Sequence, residues 1–271
     1  EASGALNFTQ VSPGAAVTWT NSNTSIGLPA SGSGNINSFT ATNNTGIPVI
    51  ARIDARATLN GCQSPVQTFT ITVHPKPAAL SVNSPVNYCV GEMATPLSAT
   101  SAPGHHLLWY TGNTNTPGSQ TAPIPSTTTA GETTYYVSQV NTTSGCESIA
   151  SLIKVIVQPT PAISHASPFN PSTCGSATGI INLQGLTANT TYTVKYTRNG
   201  VPVSKSIVSN ASGEIGITGL NAGTYDNIRV ERNGCASNEV GPFVLNDPDP
   251  PAAPMAESNS PICSGETLQL N

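Results

Sequence analysis

At 271 residues with 8% Asp, Glu, Lys and Arg and a net charge of −4, the chain is weakly charged and long enough for two or three domains of about 100 residues each. So few cations leave no basic stripe to neutralise a phosphate backbone or an anionic bilayer. Solubility rests on 35 Thr, 30 Ser and 25 Asn, residues suited to the wet faces of strands and to turns.

In chain order, strand-like segments are expected at Ala15 to Thr20, Ile36 to Ala41 and Pro48 to Thr58, followed by the turn Asn60-Gly61-Cys62 and the alternating run Thr68 to Val73. Together they predict a first module, residues 1–74, that lacks its opening strand and cysteine. Residues 78–158 predict a second, with Leu107-Leu108-Trp109-Tyr110 as a central strand and Thr134 to Val140 as a late one. Its last strand is Ile153 to Val157. Trp109 is the natural core residue beside a disulfide.

Residues 162–247 predict a third module, in which Tyr192 to Tyr196 replaces the tryptophan strand and Asn199-Gly200 signals a hairpin. Leu220 to Tyr225 looks like the tyrosine corner of Greek-key sandwiches. A further module opens near 255 and is truncated at 271. No window holds a sustained 3.6-residue apolar period, and no apolar run approaches the roughly 20 residues of a membrane helix.

The cysteines organise these modules. Cys62, Cys89, Cys146, Cys174, Cys235 and Cys263 are separated by 27, 57, 28, 61 and 28 residues. Cys62, Cys146 and Cys235 each sit in Gly-Cys-x-Ser, followed by Pro-x-Pro at Pro75 and Pro77, Pro159 and Pro161, and Pro248 and Pro250. The others open modules, with Asn83-Ser84-Pro85 before Cys89 and Asn259-Ser260-Pro261 before Cys263. Proline cannot extend a ladder, so each Pro-x-Pro ends a strand and makes a semi-rigid connector.

The expected architecture is therefore all-β: tandem Ig-like, Greek-key β-sandwiches arranged as an extended rod. Pairing across the long intervals ties Cys89 to Cys146 and Cys174 to Cys235, leaving Cys62 and Cys263 as half-disulfides whose partners lie outside the chain. Pairing across the short intervals satisfies all six cysteines but staples the connectors. Residue 1 begins no recognisable signal segment, so export is argued from the cysteines.

No catalytic, cofactor or metal site is expected. His74 and His165 flank linkers, and His105-His106 precedes the Trp109 strand, where solvated or capping roles suit them. Asp247 and Asp249, with Glu239 and Glu257 nearby, are hard ligands suited to Ca²⁺. The equivalent connectors carry Lys76 and Thr160, which argues against a general calcium joint. Trp19, Trp109 and Tyr110 fall at strand centres, where a core role outweighs sugar stacking.

The series Cys89-Val90-Gly91-Glu92, Leu108-Trp109-Tyr110, Thr134-Tyr135-Tyr136-Val137 and Gly145-Cys146-Glu147-Ser148 resembles the Ig-like and PKD-like modules of giant surface adhesins of gliding bacteria. These adhesins, the SprB-type among them, leave by the type 9 secretion system. Val17 to Asn21, Ile26-Gly27, Ser31 to Gly34 and Asn60-Gly61-Cys62 carry the likeness in module one. The resemblance implies a non-enzymatic, extracellular attachment or gliding fibre at the cell surface. Its implied partners are neighbouring modules, surface polysaccharide or substratum, and the secretion and gliding machinery. The alternatives are the stalk of a secreted polysaccharide-degrading enzyme, or a subunit of a surface filament or export apparatus.

Overall fold

The computed structural model describes residues 4–9, 11–258 and 260–268. The outermost parts of the expected first and last modules, and Asn259 of the Asn-Ser-Pro frame, lie outside the described residues. Those described form an all-β chain whose helical content is one 3-10 turn, Thr24–Ile26. It divides into two compact units: Glu1–Asn87 with Met93–Thr127 and Gly131–Ile156, and Tyr88–Glu92 with Thr128–Ala130 and Val157–Asn271.

The first sheet comprises β1 (Ala16–Asn21), β2 (Ser31–Ser33), β3 (Val49–Leu59), β4 (Cys62–Gln63) and β5 (Gln67–Val73). β3 is central, with β1 and then β2 on one side and β4 and β5 on the other. Its alternation buries Ala51, Ile53 and Ala55 against Trp19, Ile26, Leu28 and Ile36, the period-2 pattern of a half-buried strand. Gly32 lies across from Trp19, and a Cβ there would fall 2.2 Å from the indole ring. The strand expected over Ile36 to Ala41 is reduced to isolated bridging, with Ile36 opposite Leu6. Beside that bridge the Asn35 side chain, not a ladder carbonyl, accepts the Phe8 N–H at 3.1 Å.

β6 (Val86–Cys89), β7 (His105–Thr111), β8 (Gly131–Asn141) and β9 (Ser151–Gln158) form a sheet in the order β6-β9-β8-β7. Trp109, Val137, Ile153 and Val155 are buried along it. Tyr110 is buried as well, and its hydroxyl and that of Ser138 both donate to Glu147.

Residues 165–245 form two sheets. One holds β10 (His165–Phe169), β11 (Gly179–Gln184) and β14 (Ile215–Leu220). The other holds β12 (Thr191–Arg198), β13 (Val201–Val208), β15 (Gly223–Arg232), β16 (Cys235–Ala236) and β17 (Phe243–Leu245). Ile181, Leu183, Ile215 and Ile217 of the first pack with Tyr192, Val194, Tyr225, Ile228 and Val230 of the second, which makes a sandwich. Asn199 and Gly200, at φ 49° and 81°, turn β12 into β13. The Tyr225 hydroxyl donates to the Asn221 carbonyl at 2.9 Å, as expected of a tyrosine corner.

The cysteine pairing corrects the expectation. Cys89 is bonded to Cys235 across 146 residues, and Cys62, Cys146, Cys174 and Cys263 are free thiols. Neither Cys89–Cys146 nor Cys174–Cys235 forms, and the short-interval pairs do not form either. The reason lies along the strands. Cys174 lies near the segment that leads into β15, where the Asn221 side chain donates to the Gly175 carbonyl, whereas Cys235 pairs with Arg232 at the far end of β15. Ten residues of strand hold those ends about 30 Å apart, and a disulfide tolerates Cα separations of only about 4.4–6.8 Å.

A covalent joint as the candidate functional site

The site is built from two turns. Cys89 ends β6 and begins Cys89-Val90-Gly91-Glu92, whose carboxylate accepts the Cys89 N–H at 2.8 Å while the Glu92 N–H donates to the Cys89 carbonyl. The same two bonds close Cys263-Ser264-Gly265-Glu266. Val90 donates to the Gln158 carbonyl at 3.0 Å, and the Thr160 hydroxyl returns a bond to the Val90 carbonyl. The Cys89 turn is thereby seated on the peptide that enters the Pro159-Thr160-Pro161 connector.

The second turn is Asn233-Gly234-Cys235. Asn233 and Gly234 adopt φ 50° and 84°, a left-handed pair that glycine enters without a Cβ penalty. The Asn233 side chain donates to that of Gln158 at 3.1 Å. Asn238 brackets the other end of the connector, accepting the Ile163 N–H at 2.9 Å and donating to its carbonyl at 3.1 Å. Cys235 is only 1% exposed, with its Cα 5.6 Å from that of Cys89.

The serine of Gly-Cys-x-Ser has a role the sequence reading did not assign. Ser237 Oγ accepts the buried Val230 N–H at 3.0 Å and donates to the Asn238 carbonyl. Ser148 does the same with Gln139 and Ile149, and Ser64 with Ala57 and Pro65. In each module the chain leaves the ladder just after the cysteine, and the hydroxyl supplies the missing acceptor. Three recurrences of serine at one offset were the available signal.

Beside the joint, Glu231 bridges Lys195 at 2.6 Å and Arg229 at 3.3 Å, and Arg229 reaches Glu239 at 2.7 Å. The Lys195 bond, aided by Arg229 and opposed by desolvation, holds the Glu231 carboxyl below its usual range. A groove of about 370 Å³ runs between Asn189 to Thr193 and Glu231 to Asn233. Its one carboxylate is thus committed to ion pairs, and its lining has no histidine or cysteine.

The other residues singled out have structural places. Trp19, Trp109 and Tyr110 are core. His105 donates from Nδ1 to the Pro103 carbonyl and accepts from Asn141 at Nε2, a capping role assigned from its partners. His165 bonds Ser167, and His74 is exposed. Asp247, Asp249 and Glu257 are exposed, and among the described residues no group of three or more His, Cys, Asp or Glu is placed to hold a metal.

These features define an all-β chain of tandem Ig-like sandwiches, with Cys89 and Cys235 tied inside one compact unit. Residues 77–159 match the family model described as Ig-like domain, CHU_C associated. No curated protein matches the sequence. Among solved structures, the FN1–FN3 domains of chicken CNTN1 are similar at 10% identity and a TM-score of 0.38, over 86% of this chain and 89% of that one. Immunoglobulin domains 1–5 of Sidekick-1 align at 13% identity and 0.34, over 95% and 58%. The BSP domain of a biofilm associated protein aligns at 10% and 0.25, over 92% and 62%.

Proposed function

We propose that the chain is a non-enzymatic stretch of a large cell-surface adhesin, an extracellular shaft of Ig-like modules exported by the type 9 secretion system and used in attachment or gliding. The observation that carries this reading is the Cys89–Cys235 bond. It ties a turn opening one repeat to a turn in the next, which serves a chain that must transmit tension rather than enclose a substrate. A disulfide of this kind persists in oxidising surroundings, and the CHU_C-associated match at 77–159 favours the same export route. Each module of the shaft is bounded by its Pro-x-Pro connector, and weak contacts with polysaccharide or substratum sum by avidity.

The test is antibody labelling of intact cells with serum against residues 1–271, together with in-frame deletion of the segment. Labelling without lysis and loss of attachment or gliding are expected. Detection only after lysis would overturn the reading, as would unchanged attachment accompanied by lost polysaccharide breakdown.

A further inference from the structure

We infer that Cys89–Cys235 is one rung of a ladder. In it, the cysteine opening each module bonds to the Gly-Cys turn of the following module, making Cys174 and Cys146 halves of two further rungs. The inference rests on the repeat-array reading, and it begins with which end of a module carries which cysteine.

In the module of residues 162–247, the incoming connector meets Asn238, three residues beyond Cys235. In the preceding module, Gln139 donates to the carbonyl of incoming Ala78 at 2.9 Å while bonding Ser148, two residues beyond Cys146. The Gly-Cys turn therefore marks the leading end in both. The opening turn marks the trailing end: Val90 is bonded to Gln158 at the end of β9, and Cys174 Sγ donates to the carbonyl of Pro248, past the end of β17. The Asn170 side chain, in the same opening segment, accepts the Asn246 N–H at 3.1 Å.

A module thus carries one cysteine at each end, separated by the length of its strands. In a head-to-tail chain the two kinds meet only across a joint, which is where Cys89 and Cys235 are bonded. Cys174 occupies the position of Cys89 relative to its outgoing connector, and it is an exposed thiol. One rule accounts for every cysteine. Cys174 pairs forward with the Gly-Cys turn of the module opened by Cys263, and Cys263 pairs with that of the module after it. Cys146 and Cys62 pair backward with opening-turn cysteines.

Each rung forms by thiol–disulfide exchange with an oxidoreductase in its disulfide form. One thiolate attacks that disulfide, the second displaces the mixed intermediate, and the two electrons and two protons leave in the reduced dithiol.

The decisive experiment joins a second copy of residues 162–250 after Pro250, with Cys174→Ser in that copy, and maps tryptic peptides without reduction; each linked species is then cut with chymotrypsin, because Cys62, Cys89 and Cys146 share the tryptic peptide 57–154. The first Cys235 peptide runs on into the added module, so the two differ in mass. The expected bonds are Cys89 with the first Cys235 and Cys174 with the second. Cys174 bonded within its own module, or free while the added copy is folded by near-UV circular dichroism, overturns the ladder. A second arm uses Cys235→Ser in the 271-residue chain. There Cys89 should become alkylatable, and a Cys89–Cys146 peptide overturns the end-to-end assignment even if the added copy misfolds. Surface labelling is unaffected by either result, so failure of the ladder and failure of the adhesin reading are told apart.

Discussion

Pulling the chain from its two ends measures the covalent tie directly. With Cys89 bonded to Cys235, the 146 chain intervals between them are bypassed by a link whose Cα atoms stand 5.6 Å apart. Fully extended, those intervals reach roughly 510 Å at about 3.5 Å each. Optical-tweezer unfolding of the oxidised chain should therefore release a contour length shorter by about 500 Å than that of the reduced chain or of Cys235→Ser. The module-internal pairs, Cys89–Cys146 and Cys174–Cys235, span 57 and 61 intervals and hide only about 400 Å. Equal lengths with and without reductant would refute the bond, and a deficit near 400 Å would refute its register.

Three substitutions and one oxidation probe the rest. Ser237→Ala removes the acceptor of the buried Val230 N–H and should cost about 1–3 kcal/mol in urea unfolding; no change would mean the hydroxyl does not repair the ladder. Gly32→Ala places a methyl 2.2 Å from the Trp19 ring, and should destabilise by about 1–3 kcal/mol with altered tryptophan emission. Because the folded pKa of Glu231 is depressed, its contribution is complete above the unfolded value of about 4.3 and is lost as pH falls through the lower folded value. Thermal melting between pH 5.5 and 3 should fall less steeply in Glu231→Gln. Oxidation in denaturant should yield mainly short-interval pairs such as Cys62–Cys89, whereas oxidation after folding should yield Cys89–Cys235, both read by peptide mapping.

Much of the fold was legible because its signals are local. The strand expected at Thr68 to Val73 appears as Gln67–Val73, and that at Ile153 to Val157 as Ser151–Gln158, each ending before its Pro-x-Pro. Asn199-Gly200 and the tyrosine corner carry their geometry in two to six residues. β2, β10 and β14 were less legible, since Ser31-Gly32-Ser33, Ser167-Pro168 and Gly216 have weak strand propensity and acquire their conformation from partners such as Trp19 and β11. The supports of the joint, Gln158, Asn233 and Asn238, were missed because amide side chains in an Asn-rich chain offer no contrast.

The pairing itself was out of reach of spacing for a deeper reason. In a periodic chain, joining the two cysteines of one module and joining those of successive modules repeat with the same period, so the intervals fit both. Chain entropy points the wrong way, since closing the 27-residue interval between Cys62 and Cys89 rather than 146 residues is favoured roughly tenfold in an unfolded chain. What selects Cys89–Cys235 is three-dimensional. The β15 strand separates Cys174 from Cys235, while Val90 on Gln158 and Asn233 on Gln158 bring two distant turns onto one connector. The bond is thus a product of folding rather than a guide to it, closed only once the turns at Cys89 and Asn233 have both been seated on Gln158.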